Sequence, residues 1–510
     1  MEEPEQAVIV LTGRQDSRKR ARMAEVATAR RPFLYLIVGM FTVIAAWGYV
    51  ASLQSSLQAP WTTDFMRLTL ASTQMLAGQD PYSAPLAEAE YLQQITSISR
   101  TTAGRHETLE SPTVLLLLAP FVHLEAATAF LIWVAISVLA GIASLLLIEE
   151  RLGGFHTDTN LQAGPHRFAL LLSATIFFYP TWVSLVIGQT GFVTLLFLTL
   201  GWGWARDGRD ERAGFALGLA VSLMPALIVL AFYLLSLGRL RILATAILAT
   251  LVGLFIPAVI IDIAVLQGYF TALGAVNWFG AGWNGSLVGF LAPLFGNSAN
   301  APLIEVAWLT PLLILAATIF AVRALWKFGR MVTSIEQKLG TERAVPIFDQ
   351  GFALCLPLAL LLSPLGWLHN FVLLLPAFCI GLEACARRPR DWRWRERILL
   401  AWILCAMPYP VLRAENNDSL IQWFGYPAFD TYALIILAVT IAGLCQREAS
   451  ALLRRSRHLS KSKELEPPSS QDTGAADQSD EQSSDDEIIE SDGRDTRGST
   501  PPTSGKLALP

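Results

Sequence analysis

Residues 126–148 read AATAFLIWVAISVLAGIASLLLI, a run without a charged side chain. An α-helix needs about 20 mainly apolar residues to cross the roughly 30 Å hydrocarbon layer of a membrane. This run therefore predicts one membrane-spanning helix. Nine similar runs lie at about 32–53, 168–187, 190–205, 241–263, 303–323, 346–363, 368–386, 396–412 and 430–446. The sequence thus predicts an all-α polytopic membrane protein with about ten full spans.

The composition agrees with helices that face lipid. Apolar residues make up 53% of the 510 residues and charged residues only 16%, whereas soluble domains carry about 25% charged residues. The net charge of −4 averages a basic membrane body and an acidic tail, so it identifies no partner. Membrane lipids are expected around the helices, and a nucleic-acid partner is not expected.

Basic residues predict the orientation, because Lys and Arg concentrate in cytoplasmic connections. An N-terminus in the cytoplasm places four basic connections there: 206–212, 238–241, 323–343 and 386–397. The pattern holds only if residues 214–237 enter and leave on the same side. We therefore predict two half-length helices that meet at Met224-Pro225. Such a broken hairpin is tolerated at membrane depth where protein surrounds it or where it lines a cavity.

Three regions follow along the chain. Residues 1–31 are predicted to be a basic cytoplasmic segment, and residues 32–446 the membrane domain. Residues 447–510 begin basic, which suits anionic lipid head groups, and continue with acidic stretches such as DQSDEQSSDDEIIESDGRD (477–495). This composition buries too little apolar surface to fold, so it predicts a disordered tail. The expected location is the cell membrane, with both termini in the cytoplasm.

The first long loop on the opposite face, residues 54–125, contains WTTDFMRLTLASTQMLAGQDPYSAP. Its helical spacing of apolar residues predicts an amphipathic helix on the membrane surface; the residues are Leu68, Ala71, Met75 and Leu76. Asp64 begins this helix, either as its N-cap or as a functional carboxylate. Asp80 precedes Pro81 and is predicted to be a turn residue.

Other polar residues fall on the same face. Loop 264–302 has no Lys or Arg and offers aromatic and amide groups that suit a carbohydrate or an aromatic belt at the membrane surface; these are Asn277, Trp278, Trp283, Asn284 and Ser286. Two tight connections, IGQTG (187–191) and LLSPLGWLHN (361–370), add Gln189, Trp367, His369 and Asn370. Topology therefore collects Asp64, Gln189, Asn284 and His369 at one face.

Several short motifs at these residues resemble glycosyltransferase family 87, the polyprenol-phosphate-mannose-dependent α-mannosyltransferases of the GT-C fold. The similarity runs over about residues 32–446. The motifs are Asp64-Phe65, Gly78-Gln79-Asp80-Pro81-Tyr82, Ser111-Pro112-Thr113, Gly188-Gln189, Ala213-Gly214 with Met224-Pro225, and Ser363-Pro364 with Trp367 and His369. Two positions depart from the family pattern: Met224 replaces a lysine, and Asn370 replaces a second histidine.

The resemblance implies an inverting transfer of a hexose, mannose in the first instance, from a polyprenyl-phosphate-linked donor to a lipid or glycan acceptor hydroxyl. Asp64 would be the general base. Substrate contacts would come from Tyr82, Gln189, Asn284, Trp367, His369 and Asn370. Neither a metal nor another cofactor is implied, because the sequence contains no metal-binding Asp-x-Asp on a soluble nucleotide-sugar domain.

Two other interpretations stay open at this point. A transporter or lipid-linked-sugar flippase also uses broken helices, although ionisable residues in the middle of the spans would be expected. A non-catalytic relative would accommodate the departures at Met224 and Asn370. A groove that leads from lipid to Asp64 would favour the enzyme.

Overall fold

The computed structural model describes residues 36–60, 63–82, 109–153, 165–276, 279, 284–296, 302, 304–387, 392–407 and 426–465. The predicted N-terminal segment 1–31 and residues 466–510 of the tail lie outside the described residues. Contacts divide the chain into residues 1–457 and residues 458–510.

The described residues form helices and short connections, without a named strand. The helices are α1 (Leu36–Gln58), α2 (Asp64–Leu76), α3 (Pro112–Leu118), α4 (Ala126–Gly153), α5 (Pro165–Phe177), α6 (Tyr179–Val186), α7 (Gly191–Arg206), α8 (Asp210–Leu223), α9 (Val229–Leu237), α10 (Leu240–Ile260), α11 (Ala264–Ala275), α12 (Leu287–Phe295), α13 (Leu309–Leu339), α14 (Thr341–Leu362), α15 (Leu375–Ala386), α16 (Trp392–Ala406) and α17 (Tyr426–Leu465). Residues Ala119–Phe121, Pro225–Ile228 and Leu368–Leu374 form 3₁₀ turns.

The described part of each of the ten predicted spans is mainly helical. Seven helical segments of the described chain are long and apolar enough to cross a membrane, and the count is eight if the pair α5 and α6, bent by 68° at Phe178, forms one span. The predicted spans 190–205 and 396–412 correspond to the shorter helices α7 and α16. The all-helical, membrane-spanning class is therefore confirmed, while the count of ten remains a prediction.

The predicted break at Met224-Pro225 is present. Helix α8 ends at Leu223, Met224 is extended, and Pro225 starts the 3₁₀ turn that leads into α9. Proline at this position lacks the N–H group that would continue α8. The start of α8 and the end of α9 lie close together, because Arg239 Nη1 is 3.9 Å from Asp210 Oδ1. The two helices therefore form a hairpin that returns to the end of the bundle where it began.

The bundle has two polar ends, which we call the Asp64 end and the Arg206 end. Helix α7 begins beside Gln189 at the Asp64 end and finishes at Arg206, at the Arg206 end. Its 16 residues separate the two ends by about 24 Å, at 1.5 Å per residue. Between them lies an apolar core that includes Trp202, Tyr233 and Phe371.

Helix α2 differs from its prediction. Its apolar residues Leu68, Ala71 and Met75 are buried in a second apolar core with Val114 and Leu115 of α3, and only Leu76 is 45% exposed. The 109–121 segment covers the apolar face that was predicted to lie on lipid. The prediction of a surface-bound helix was therefore wrong, and α2 is fixed to the bundle.

Candidate active site

The carboxylate of Asp64 is held by side chains from two segments. Gln189 Nε2 donates to Asp64 Oδ2 at 2.7 Å, and Arg67 Nη2 lies 3.2 Å from Asp64 Oδ1 on the next turn of α2. Thr63, not Asp64, is the N-cap, since its hydroxyl accepts from the Met66 N–H. Both contacts and the helix N-terminus stabilise the ionised carboxylate.

The Gly188-Gln189 turn is built against the start of α2. Phe65 N–H donates to the Ile187 carbonyl at 3.0 Å, and Trp133 Nε1 donates to the Gly188 carbonyl at 2.8 Å. Gly188 has φ +74°, and a Cβ there would lie 2.6 Å from the Cβ of Phe65. Only glycine satisfies both the left-handed backbone and this close approach. Gln189 is 1% exposed, so its amide has one fixed position, beside Asp64.

His369 lies on the 3₁₀ turn that follows the Ser363-Pro364 connection. Its backbone carbonyl packs against Gly191 of the Gly188-Gln189 turn, because a Cβ on Gly191 would lie 3.3 Å from it. The imidazole is buried and stacks on Trp367 at 6.2 Å between ring centroids. Its Nε2 has no hydrogen-bond partner among the described residues. Asp64 and Arg67 are the charged side chains near enough to act on the imidazole.

Asn284 joins two connections to each other. Its Nδ2 donates to the Phe279 and Pro364 carbonyls, both at 2.9 Å, and its Oδ1 accepts from the N–H groups of Gly366 and Ser286. An asparagine amide offers two donors and two acceptor sites, so all of them are used. The side chain is fully buried. These contacts leave no amide group for the predicted sugar contact. They join loop 264–302 to the turn that carries His369.

Tyr82 closes the turn after α2. Asp80 Oδ1 accepts from the Tyr82 N–H at 2.9 Å, which is the predicted turn role of Asp80. The Tyr82 hydroxyl donates to the Glu110 carbonyl at 3.0 Å, and its ring packs on Tyr269. Tyr82 is 4% exposed. Its hydroxyl therefore holds neighbouring backbone, and the predicted contact of Tyr82 with the sugar stays a prediction.

Glu110 is a second carboxylate beside the site that sequence reasoning did not select. Burial raises the pKa of Glu110 to about 7; the guanidinium of Arg67 acts against this rise, and the Asp64 carboxylate adds to it. Only sequence spacing could have pointed to Arg67 and Glu110. Arg67 lies one helical turn after Asp64, and Glu110 directly precedes Ser111-Pro112.

The remaining predicted residues have mixed positions. Trp367 and Asn370 are partly buried on the same turn as His369, and the Asn370 N–H donates to the Trp367 carbonyl. Asn277, Trp278 and Trp283 lie outside the described residues. Within the described part of the chain, no group of three acidic, histidine or cysteine side chains is placed to hold a metal ion.

A cavity of about 560 Å³ lies at the Arg206 end and not near these residues. Its lining comes from the α7–α8 connection and the start of α10: Gly208, Arg209, Asp210, Glu211, Arg212 and Arg241. It is an open depression between charged side chains, and none of the predicted site residues lines it.

The bundle is a helical membrane protein with a polar cluster at one end. Residues 109–336, less than half of the chain, match the model of glycosyltransferase family 87. This match indicates that the chain is a glycosyltransferase. The matched region contains Gln189 and Asn284, while Asp64 and His369 lie outside it. No curated protein and no solved structure matches the chain.

Proposed function

We propose that the protein transfers a hexose, mannose in the first instance, from a polyprenyl-phosphate-linked donor to an acceptor hydroxyl on the extracytoplasmic side, with inversion. The Asp64 end would face that side, in a GT-C arrangement of the helices. One observation carries the proposal. The carboxylate of Asp64, the buried amide of Gln189 and the buried imidazole of His369, which has an unpartnered nitrogen among the described residues, lie there on three separate segments.

Asp64 is the proposed general base. The acceptor oxygen attacks the anomeric carbon while its proton moves to the Asp64 carboxylate, and the bond between the anomeric carbon and the phosphate oxygen breaks. Gln189 fixes the direction of the carboxylate through its 2.7 Å hydrogen bond. General-base catalysis by a positioned side chain contributes about 10²- to 10⁴-fold. The proton then passes from Asp64 to water.

His369 and Arg67 are the proposed phosphate contacts. The leaving phosphate gains negative charge as the bond breaks, and donors already aimed at that position stabilise it. His369 Nε2 and Arg67 Nε are both buried without a hydrogen-bond partner among the described residues. A buried donor without a partner costs about 1 to 3 kcal/mol, and a phosphate oxygen would remove this cost. Met224 replaces a lysine of the family pattern, and Arg67 would supply the positive charge in its place.

The test is sugar release from polyprenyl-phosphate-mannose by purified protein supplied with mixed membrane lipids. Asp64→Asn keeps the shape of the side chain and its contact with Gln189 but removes the base, so we expect a loss of about 10³-fold without unfolding. Asp262→Asn is the matched control, since exposed Asp262 only caps the Ala264 N–H. Turnover by Asp64→Asn equal to that of wild type would refute the assignment of the base.

A further inference from the structure

Helices α8 and α10 lie side by side and begin at the same end of the bundle. A Cβ on Gly214 would meet the Ile242 carbonyl, and a Cβ on Gly218 would meet the Ala246 carbonyl. Four residues along α8 thus correspond to four residues along α10, so the two helices run in the same direction. The absence of a Cβ at both glycines lets the backbones approach this closely. The first turns of both helices therefore lie together at the Arg206 end, where they line the cavity of about 560 Å³.

The lining of this cavity contains more positive charge than its acids balance. Its three arginines are exposed and form no ion pair with a described residue; they are Arg209, Arg212 and Arg241. Two acids also line it, but the Asp210 carboxylate lies 3.9 Å from Arg239, which is outside the lining. This leaves Glu211 against three guanidinium groups. Guanidinium groups bind phosphate oxygens through paired N–H donors, so the excess charge favours an anion that carries a phosphate.

The surface that continues from the cavity along α10 is apolar. Exposed side chains follow Arg241 at intervals of three or four residues; they are Ala244, Leu248, Leu251, Phe255 and Val259. On α8, Phe215 lies three residues after Arg212 and is 54% exposed. Residues at these intervals share one face of a helix, so each arginine stands at the head of an exposed apolar surface. Helix α10 is long and apolar enough to cross a membrane. A charged cavity above an apolar surface fits an amphiphile, whereas a free anion would use only the cavity.

We propose that this cavity binds the head group of an anionic phospholipid, whose acyl chains lie along the exposed apolar faces of α8 and α10. Arg212 and Arg241 bind the phosphate oxygens. The Arg206 end is also the end predicted to face the cytoplasm, where anionic lipids attract basic side chains near the membrane surface. The site lies at the opposite end of the bundle from Asp64, so it does not depend on the proposed reaction.

The test is lipid binding to the purified full chain in a neutral detergent, measured by native mass spectrometry. The probes are phosphatidylglycerol, phosphatidylcholine with the same acyl chains, and glycerol 3-phosphate, which has the phosphate without the chains. The proteins are wild type, the double variant Arg212→Gln/Arg241→Gln and the control Arg330→Gln/Arg343→Gln. Arg330 and Arg343 are exposed on α13 and α14 and do not line the cavity. Since all four arginines are exposed, both double variants should keep the wild-type unfolding midpoint without lipid, which checks that they are folded.

We expect wild type and the control to prefer phosphatidylglycerol to both other probes. Arg212→Gln/Arg241→Gln should bind phosphatidylglycerol about 30-fold more weakly, at about fivefold for each arginine, and should lose most of the preference over phosphatidylcholine. Wild-type affinity in this variant, or an equal loss in the control, would overturn the inference. Equal affinities of wild type for the two lipids would also overturn it. Glycerol 3-phosphate bound as tightly as phosphatidylglycerol would overturn the lipid assignment and indicate a site for free phosphate.

A further comparison separates this site from the proposed active site. His369→Ala should bind phosphatidylglycerol as wild type does, because His369 lies at the Asp64 end. A loss of this binding in His369→Ala would contradict the placement of the lipid at the Arg206 end. Polyprenyl phosphate is itself an anionic lipid, so its binding to the Asp64 end should be measured with phosphatidylglycerol in excess, which occupies the cavity.

Discussion

The two ends of the bundle differ in where their ion pairs lie, although both contain buried polar atoms without a hydrogen-bond partner among the described residues; Asp349 Oδ2 and Gln350 Oε1 are examples at the Arg206 end. At the Arg206 end, ion pairs join different helices: Arg206 Nε lies 3.6 Å from Asp349 Oδ1, and Arg167 contacts both Glu149 and Glu383. Trp202 Nε1 adds a hydrogen bond to Asp349. At the Asp64 end, the ion pair between Asp64 and Arg67 lies within a single helix, and His369 Nε2 has no hydrogen-bond partner among the described residues.

This difference separates what holds the fold from what is available to a ligand. A charge pair between two helices fixes how they pack, and removing one partner leaves a buried charge. A buried donor without a partner stabilises nothing in the free protein and costs free energy. Its retention is explained when a bound group satisfies it. We therefore assign the ion pairs of the Arg206 end to the packing of the helices, and the unpartnered nitrogen of His369 to the proposed phosphate contact.

The largest effect on stability is expected at the Arg206 end. Arg206→Met leaves the fully buried Asp349 without its counter-charge, which should cost about 3 to 5 kcal/mol. Thermal unfolding in detergent would measure the loss, with exposed Arg209→Met as the control. We expect turnover per folded molecule to stay near wild type. A variant as stable as wild type would show that this pair does not hold the helices.

The largest effect at the other end, after Asp64, is expected from His369→Ala. Loss of one preorganised donor to a developing charge costs about 10²- to 10³-fold in turnover, and we expect the lower value because Arg67 remains. Nε2 has no hydrogen-bond partner in the described structure, but the ring is buried against Trp367, so we expect the unfolding midpoint to fall by less than in Arg206→Met. His123→Ala, an exposed histidine at the same end, is the control. Unchanged turnover together with a large loss of stability would assign His369 to packing.

A smaller effect, on stability, is expected from Asn284→Ala, and it sharpens the comparison between the two ends. Asn284 lies at the Asp64 end, yet its amide is fully bonded, so it should behave like a residue of the Arg206 end. Unsatisfied buried partners cost about 1 to 3 kcal/mol, and unfolding should show this loss. Asn284→Asp keeps the acceptor for Gly366 but loses both donors, and it should also destabilise. A loss of sugar transfer at unchanged stability would instead restore a direct substrate role.

The sequence predicted the helical class, the broken hairpin and the face on which the polar residues lie. These follow from short-range patterns, namely apolar length, basic connections and proline. It also selected Asp64 and Gln189, which the structure brings into contact although 125 residues separate them. Their contact follows from topology, because both lie in connections at the same face.

The rest depended on long-range packing that no local pattern encodes. The loop of Asn284 packs on a turn 80 residues away. The amide that suits a sugar therefore forms its hydrogen bonds with backbone groups. The Tyr82 hydroxyl likewise donates to a backbone group, the Glu110 carbonyl. The apolar face of α2 meets protein because residues 109–121 fold over it. Glu110 and Arg67 carried no motif of their own and emerged only from their position.

The most direct test of the contrast between the ends is the change in unfolding midpoint on adding polyprenyl phosphate, the proposed leaving group. A ligand that binds only the folded state raises the midpoint. We predict that Arg206→Met has a lower midpoint without ligand but keeps the ligand-induced rise, whereas His369→Ala has a smaller loss of midpoint without ligand and loses most of the rise. A full rise in His369→Ala, or its loss in Arg206→Met, would contradict the assignment of ligand binding to the Asp64 end.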